Sequence, residues 1–173
     1  MKKFLLSVVT VLFLFAGNVS AACCNYCDCG CDGYCEELTK QTAPTDNFDY
    51  QNFAEEVLNL VNAQRAKVGA PPMRLAEDLQ QAAAIRAREI IQVFSHTRPD
   101  GSDCFTVMHK RGRTWGENIA AGNATASETV EQWMNSQGHR KNILNPNFRE
   151  LGVGYAYEDY STYHHYWVQL FRG

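Results

Sequence analysis

The chain has 173 residues, 45% hydrophobic and 20% charged, an ordinary balance for a globular protein that excludes disorder as its main state. Sixteen basic against nineteen acidic side chains leave a formal charge of −3, and setting aside Lys2 and Lys3 makes it −5, so no nucleic-acid partner is expected. The length suits one average domain with a short appendage, not two cores.

Lys2 and Lys3 precede an apolar run, Phe4 to Ala16, and then the small-residue stretch GNVSAA. That order is the pattern of a secretory signal peptide, expected over residues 1–22. The run is 13 residues long, too short for a spanning helix of about 20. No second apolar segment follows, so no transmembrane segment is expected. Val19 and Ala21 suit cleavage after Ala21. Ser20-Ala21-Ala22-Cys23 offers a competing site resembling a lipoprotein box, which would place a lipid anchor on Cys23. The chain is therefore expected to be secreted or extracytoplasmic, free or lipid-anchored at the cell surface.

Residues 23–35 form a Cys-rich leader, CCNYCDCGCDGYC, with six of the seven cysteines; the seventh is Cys104. An exported chain favours a disulfide-tied tag over a thiolate metal cluster, although the odd count leaves one thiol lipidated, free or paired between molecules. Residues 36–47 are polar, contain Pro44 and read as a linker. The folded domain is expected over 48–173.

Within it, Phe53, Val57, Leu60, Val61 and Val68 share one helical face, with Asn52 and Glu55 as a capping pair and Gly69, Pro71 and Pro72 as the stop. Met73 to Leu75 reads as extended. A second helix places Leu79, Ala83, Ile90 and Phe94 on one face, with Arg86, Arg88 and Glu89 expected in solvent. Between Ser95 and Asn123 periodicity disappears; apart from one turn near Phe105 to Lys110, the segment reads as a long loop, a length usually kept for function. Thr125 with Glu128 opens a further helix carrying Val130, Trp133, Met134 and Gln137, with Gly138 as its stop. Val153, Tyr155 and Tyr157, then Tyr166, Val168 and Leu170, alternate as an antiparallel hairpin. Helices in front and strands behind make the fold α+β.

Four side chains at element boundaries could carry chemistry: His96, Glu117, Ser136 and His139. Two imidazoles from separate elements can share a divalent ion, and a nearby carboxylate can orient an imidazole or take a proton from bound water. Spacing alone cannot show this, and on residue types alone isolated surface or hydrogen-bonded histidines are the favoured reading. Asn118 is expected to tie down its loop by hydrogen bonding. Trp115, Trp133 and Trp167 are expected in the core, and His164 and His165 on an exposed turn. Cys104 is expected as a buried thiol or as the partner of a leader cysteine. No Gly-x-Ser-x-Gly nucleophile elbow is present.

The phrases FSHTRPDGSDCFTVM, WGENIAAG, EQWMNSQGHRKNILNPNFRELGVGY and YWVQLF resemble, in order, the CAP superfamily of cysteine-rich secretory, antigen 5 and pathogenesis-related proteins, in its bacterial branch. The resemblance covers about residues 50–173 and implies a three-layer α/β/α sandwich around a central antiparallel sheet. It also implies a cleft with two histidines and two acids. His96 and His139 correspond to the histidines and Glu117 to the first acid. Ser136 stands where the second acid belongs, so the tetrad is incomplete.

The resemblance implies a binding module whose cleft coordinates one divalent cation, Zn2+, through His96 and His139 and takes a lipid, glycan or peptide ligand. Two other functions stand beside it. One is a metal-assisted hydrolase with Glu117 as base; the other is a surface or coat protein acting through the Cys-rich leader. Of these an enzyme is not the first choice.

Overall fold

A computed structural model describes residues 46–173; the expected signal peptide, Cys-rich leader and most of the linker lie outside the described residues. Helix α1 spans Asp46–Lys67, strand β1 Arg74–Leu75 and helix α2 Glu77–Gln92. A 3-10 turn at Cys104–Val107 leads to strand β2, Trp115–Ala121. Helices α3, Ala126–Asn135, and α4, Gln137–Ile143, precede strands β3, Glu150–Tyr157, and β4, His165–Arg172.

The four strands form one sheet in the order β1-β3-β4-β2. Its three long strands are antiparallel, as expected; the two-residue β1 adds a parallel edge against β3. Side chains on successive strand residues point to opposite faces, so the sheet has two cores. On one face Leu79, Ala83 and Ile90 of α2 pack on Ile119, Val168 and Leu170. On the other, Val57 and Val61 of α1, Trp133 of α3 and Ile143 of α4 pack on Val153, Trp167 and Phe171. The fold is the α+β three-layer sandwich. Both faces of β4 are buried, which is why its residues 166–171 are apolar almost without a break.

Helix α2 lies unusually close to β3. A Cβ on Gly152 would come 2.2 Å from the Leu79 carbonyl oxygen, and one on Gly154 would come 2.0 Å from that of Ala83. Only glycine permits this approach.

Several expectations need correction. Strand β2 replaces the last part of the supposed loop between Ser95 and Asn123; it escapes a periodicity test because Gly116 to Ala120 are buried on both faces, Glu117 and Asn118 included. Gly138 does not stop a helix. The break falls at Ser136, which ends α3 in an extended conformation and starts α4, so His139 sits in the first turns of a new helix. Helix α1 begins at Asp46, making Asn52 interior rather than a cap, and its end at Lys67 leaves Val68 exposed. Phe94 lies past the end of α2 and Trp115 at the open end of β2, and both are exposed. Arg86 is fully buried, not solvated. Thr125 and Glu128 do make the expected cap: Glu128 N–H donates to Thr125 Oγ1 at 3.2 Å, and that hydroxyl donates to Glu128 Oε2 at 2.8 Å.

Candidate functional site

The site forms at the β2 edge of the sheet. On the α2 side, Glu117 is almost fully buried and both its oxygens accept. Arg86 Nε donates to Oε1 at 2.8 Å, and His96 Nδ1 lies 2.6 Å from Oε2. Arg86 also donates from Nη1 to Glu89 Oε2 and from Nη2 to the Ser95 carbonyl, each at 2.7 Å. Glu89 in turn accepts from Arg98, which bonds Thr106 on the loop that follows. Charges of alternating sign thus run from the loop through α2 to His96.

These contacts set the protonation states. Burial alone would raise the Glu117 pKa, but the bonds from His96 and Arg86 outweigh it and hold the carboxyl below its usual range. The Glu117 bond raises His96. A carboxylate with a depressed pKa and two engaged oxygens is a weak base. The arrangement suits Glu117 to orient an imidazole rather than to take a proton from water.

His139 approaches from the other layer. Its Nδ1 is buried without a hydrogen-bond partner among the described residues, and its carbonyl accepts from Asn118 Nδ2 at 3.2 Å. Asn118 also donates to Gln169 Oε1 at 3.0 Å and accepts from Asn142 Nδ2 at 2.9 Å, so it does tie structure together, pinning α4 to the sheet. Burial, then the charge of His96, lowers the His139 pKa, so the two imidazoles sense each other across the sheet edge. Ser136 is half-buried at the α3–α4 junction, and its hydroxyl caps neither helix.

Two ring nitrogens are the candidates for holding a divalent cation. Because Nδ1 of His96 is bonded to a carboxylate, Nε2 is left as its ligand atom, the usual way a second group orients a ligating imidazole. His139, whose pKa burial lowers, would offer the other lone pair. A second grouping, His96 with Cys104 and Glu117, has ligand atoms within 4.8 Å of one another. It fits a metal poorly. Two ligands on one zinc stand about 3.3 Å apart, whereas His96 Nδ1 and Glu117 Oε2 are at hydrogen-bond distance, 2.6 Å. Among the described residues Cys104 has no cysteine partner, and burial, followed by the Glu117 charge, pushes its thiol up to about 12. Burial of this kind makes a thiol unreactive; the alternative pairing with a leader cysteine lies outside the described residues.

Sequence reasoning missed Arg86, Asn142 and Gln169. Arg86 left a trace: it lies seven positions after Leu79 and four before Ile90, on the apolar face of α2. An arginine on such a face has to be paired.

The family model "CAP: Cysteine-rich secretory protein family" matches residues 58–171. The chain belongs to the CAP family. The uncharacterized protein YkwD of Bacillus subtilis (strain 168) is 40% identical over 140 residues, covering 78% of this chain and 51% of that protein. The uncharacterized membrane protein YlbC of the same organism is 33% identical over 129 residues, covering 70% and 37%. This CAP chain thus spans about half the length, or less, of the curated relatives it matches. Among solved structures, an extracellular protein containing a SCP domain from Bacillus anthracis str. Ames superposes with TM-score 0.61 at 28% identity, covering 71% of this chain and 41% of that one. An outer surface protein from Borrelia burgdorferi shares the fold, with TM-score 0.59 at 20% identity, covering 68% and 89%. Among the described residues of the CAP domain, no helix is long and apolar enough to cross a membrane.

Proposed function

We propose that this CAP domain is an exported binding module whose cleft holds one divalent cation, zinc by its nitrogen donors, between His96 and His139. The cation and the surrounding groove together receive a lipid, glycan or peptide. The observation that carries the reading is the 2.6 Å bond between His96 Nδ1 and the buried carboxylate of Glu117, which presents one imidazole as a metal ligand before any metal arrives. With Ser136 in place of a second acid, the protein supplies few donors, leaving open positions on the ion for a ligand. Export rests on the N-terminal sequence pattern and on the extracellular Bacillus anthracis relative. A lipid anchor on Cys23 would hold the module at the cell surface.

Elemental analysis of protein purified with zinc tests the reading. One zinc per chain is expected, lost in His96→Ala and in His139→Ala with the thermal transition retained. A wild-type protein that takes up no zinc would remove the proposal.

A further inference from the structure

Arg86 is fully buried against the cleft carboxylate, and its donors reach both sides of His96. Through Nε it bonds Glu117 Oε1, and through Nη2 it bonds the Ser95 carbonyl, the peptide group that enters His96. Its own position is fixed by Glu89, which Arg98 holds from the far side. We propose that Arg86 is a positioning residue that fixes how Glu117 faces His96, and with it which nitrogen of His96 is left free to ligate. This deepens the cation reading and depends on it for its consequence, but not for its geometry.

The argument is one of donors and acceptors. A guanidinium has N–H donors and no acceptor, so whatever Arg86 touches must accept. Glu117 Oε1 therefore faces Arg86 as an acceptor. The Arg86 donor, 2.8 Å from Oε1, fixes how the carboxylate lies, and its other oxygen, Oε2, is an acceptor as well. His96 Nδ1, 2.6 Å from Oε2, must then carry the hydrogen. In the neutral ring the lone pair is left on Nε2. The carboxylate of Glu117 makes this choice, and Arg86 fixes which way that group faces.

Glu117→Gln separates the two roles with almost no change of shape. The Arg86 donor still demands an oxygen, so the carboxamide turns its oxygen to Arg86 and its NH2 to His96. Nδ1 must then accept, and the ring hydrogen moves to Nε2. Long-range proton–nitrogen NMR reads this directly on metal-free protein at alkaline pH, where the ring is neutral. Wild type is expected to show Nδ1–H, and Glu117→Gln to show Nε2–H with zinc affinity weaker by about 10- to 100-fold. Replacing Arg86 by Met in the Glu117→Gln background frees the amide to rotate, and Nδ1–H is expected to return in part. Nε2–H in wild type would overturn the proposal. So would retention of Nδ1–H in Glu117→Gln, or a folded double variant indistinguishable from Glu117→Gln. If the double variant does not fold, the single variant decides. A wild type that binds no zinc yet shows Nδ1–H, with reversal in Glu117→Gln, would remove the cation reading and leave the role of Arg86 standing.

Discussion

Glu117 and Asn118 are neighbours on β2 and point to opposite faces of the sheet, and each reaches one of the two candidate histidines. Glu117 pairs across the strands with Leu170 and turns toward α2, where it bonds the His96 ring. Asn118 pairs with Gln169 and turns toward α4, where it bonds the His139 carbonyl. A single strand edge therefore aligns groups from the layers on its two sides. Strand alternation is what makes this possible: one residue each way, with no loop to adjust.

Asn118→Ala should be costly although no charge is involved. The side chain is fully buried, and its loss takes the Asn118 donor from Gln169 Oε1 and the His139 carbonyl and leaves Asn142 Nδ2 with the Glu117 carbonyl but not its second acceptor. A few orphaned groups of this kind cost about 3 kcal/mol together. Equilibrium urea unfolding should show stability falling by that amount at constant slope. A change below about 0.5 kcal/mol would mean water replaces the amide fully, and the alignment of α4 would need another cause.

The two histidines should titrate on opposite sides of the ordinary value of 6.5, His96 above it and His139 below it. Folding makes His96 hold its proton more tightly, through the Glu117 bond. That contribution to stability is complete below 6.5 and lost as pH rises through the raised folded value. Folding makes His139 hold its proton less tightly, through burial and then the His96 charge. Its contribution is present above 6.5 and lost as pH falls through the lowered folded value. Imidazole NMR on rising pH should therefore show His139 deprotonating first. Because a ligand must be neutral, zinc affinity should go on climbing through the His96 step. Midpoints in the reverse order would contradict the hydrogen-bond assignment at Glu117.

The parts of the fold that sequence made legible carry a periodic or local signal. Val57 and Val61 on α1 and the Thr125–Glu128 cap are of this kind, and the hairpin is read from its aromatic and β-branched residues although β4 is buried on both faces. Where a strand buried on both faces also carries polar residues, the signal fails. Strand β2 carries Glu117 and Asn118 in the interior because Arg86, His96 and Gln169 satisfy them, and partners so distant along the chain leave no local pattern. The same holds for the break at Ser136, after which α4 bonds the sheet edge through Asn142 and Asn118. His96 and His139 were visible through phrase resemblance, not through spacing. The groups that orient them became visible only with the fold.

Arg65 should prove as important to the site as any residue in it, though its side chain bonds neither histidine. It is fully buried near the end of α1, and four backbone carbonyls receive its guanidinium. Nε donates to Pro71 at 2.8 Å, Nη1 to Ile143 at 2.7 Å and Asn145 at 2.9 Å, and Nη2 to Phe148 at 3.0 Å. Ile143 ends α4, so this fork anchors the helix that carries His139. Lysine keeps the charge but cannot span four acceptors from one nitrogen, whereas methionine fills similar space and donates nothing. Arg65→Lys should cost about 2 kcal/mol and Arg65→Met about 4 kcal/mol, as carbonyls in the interior lose their donors. Amide hydrogen exchange along Gln137–Ile143 should quicken in both variants, while exchange in α2 stays close to wild type. Equal acceleration in α2 and α4 would show that Arg65 supports the domain generally and does not fix the position of His139.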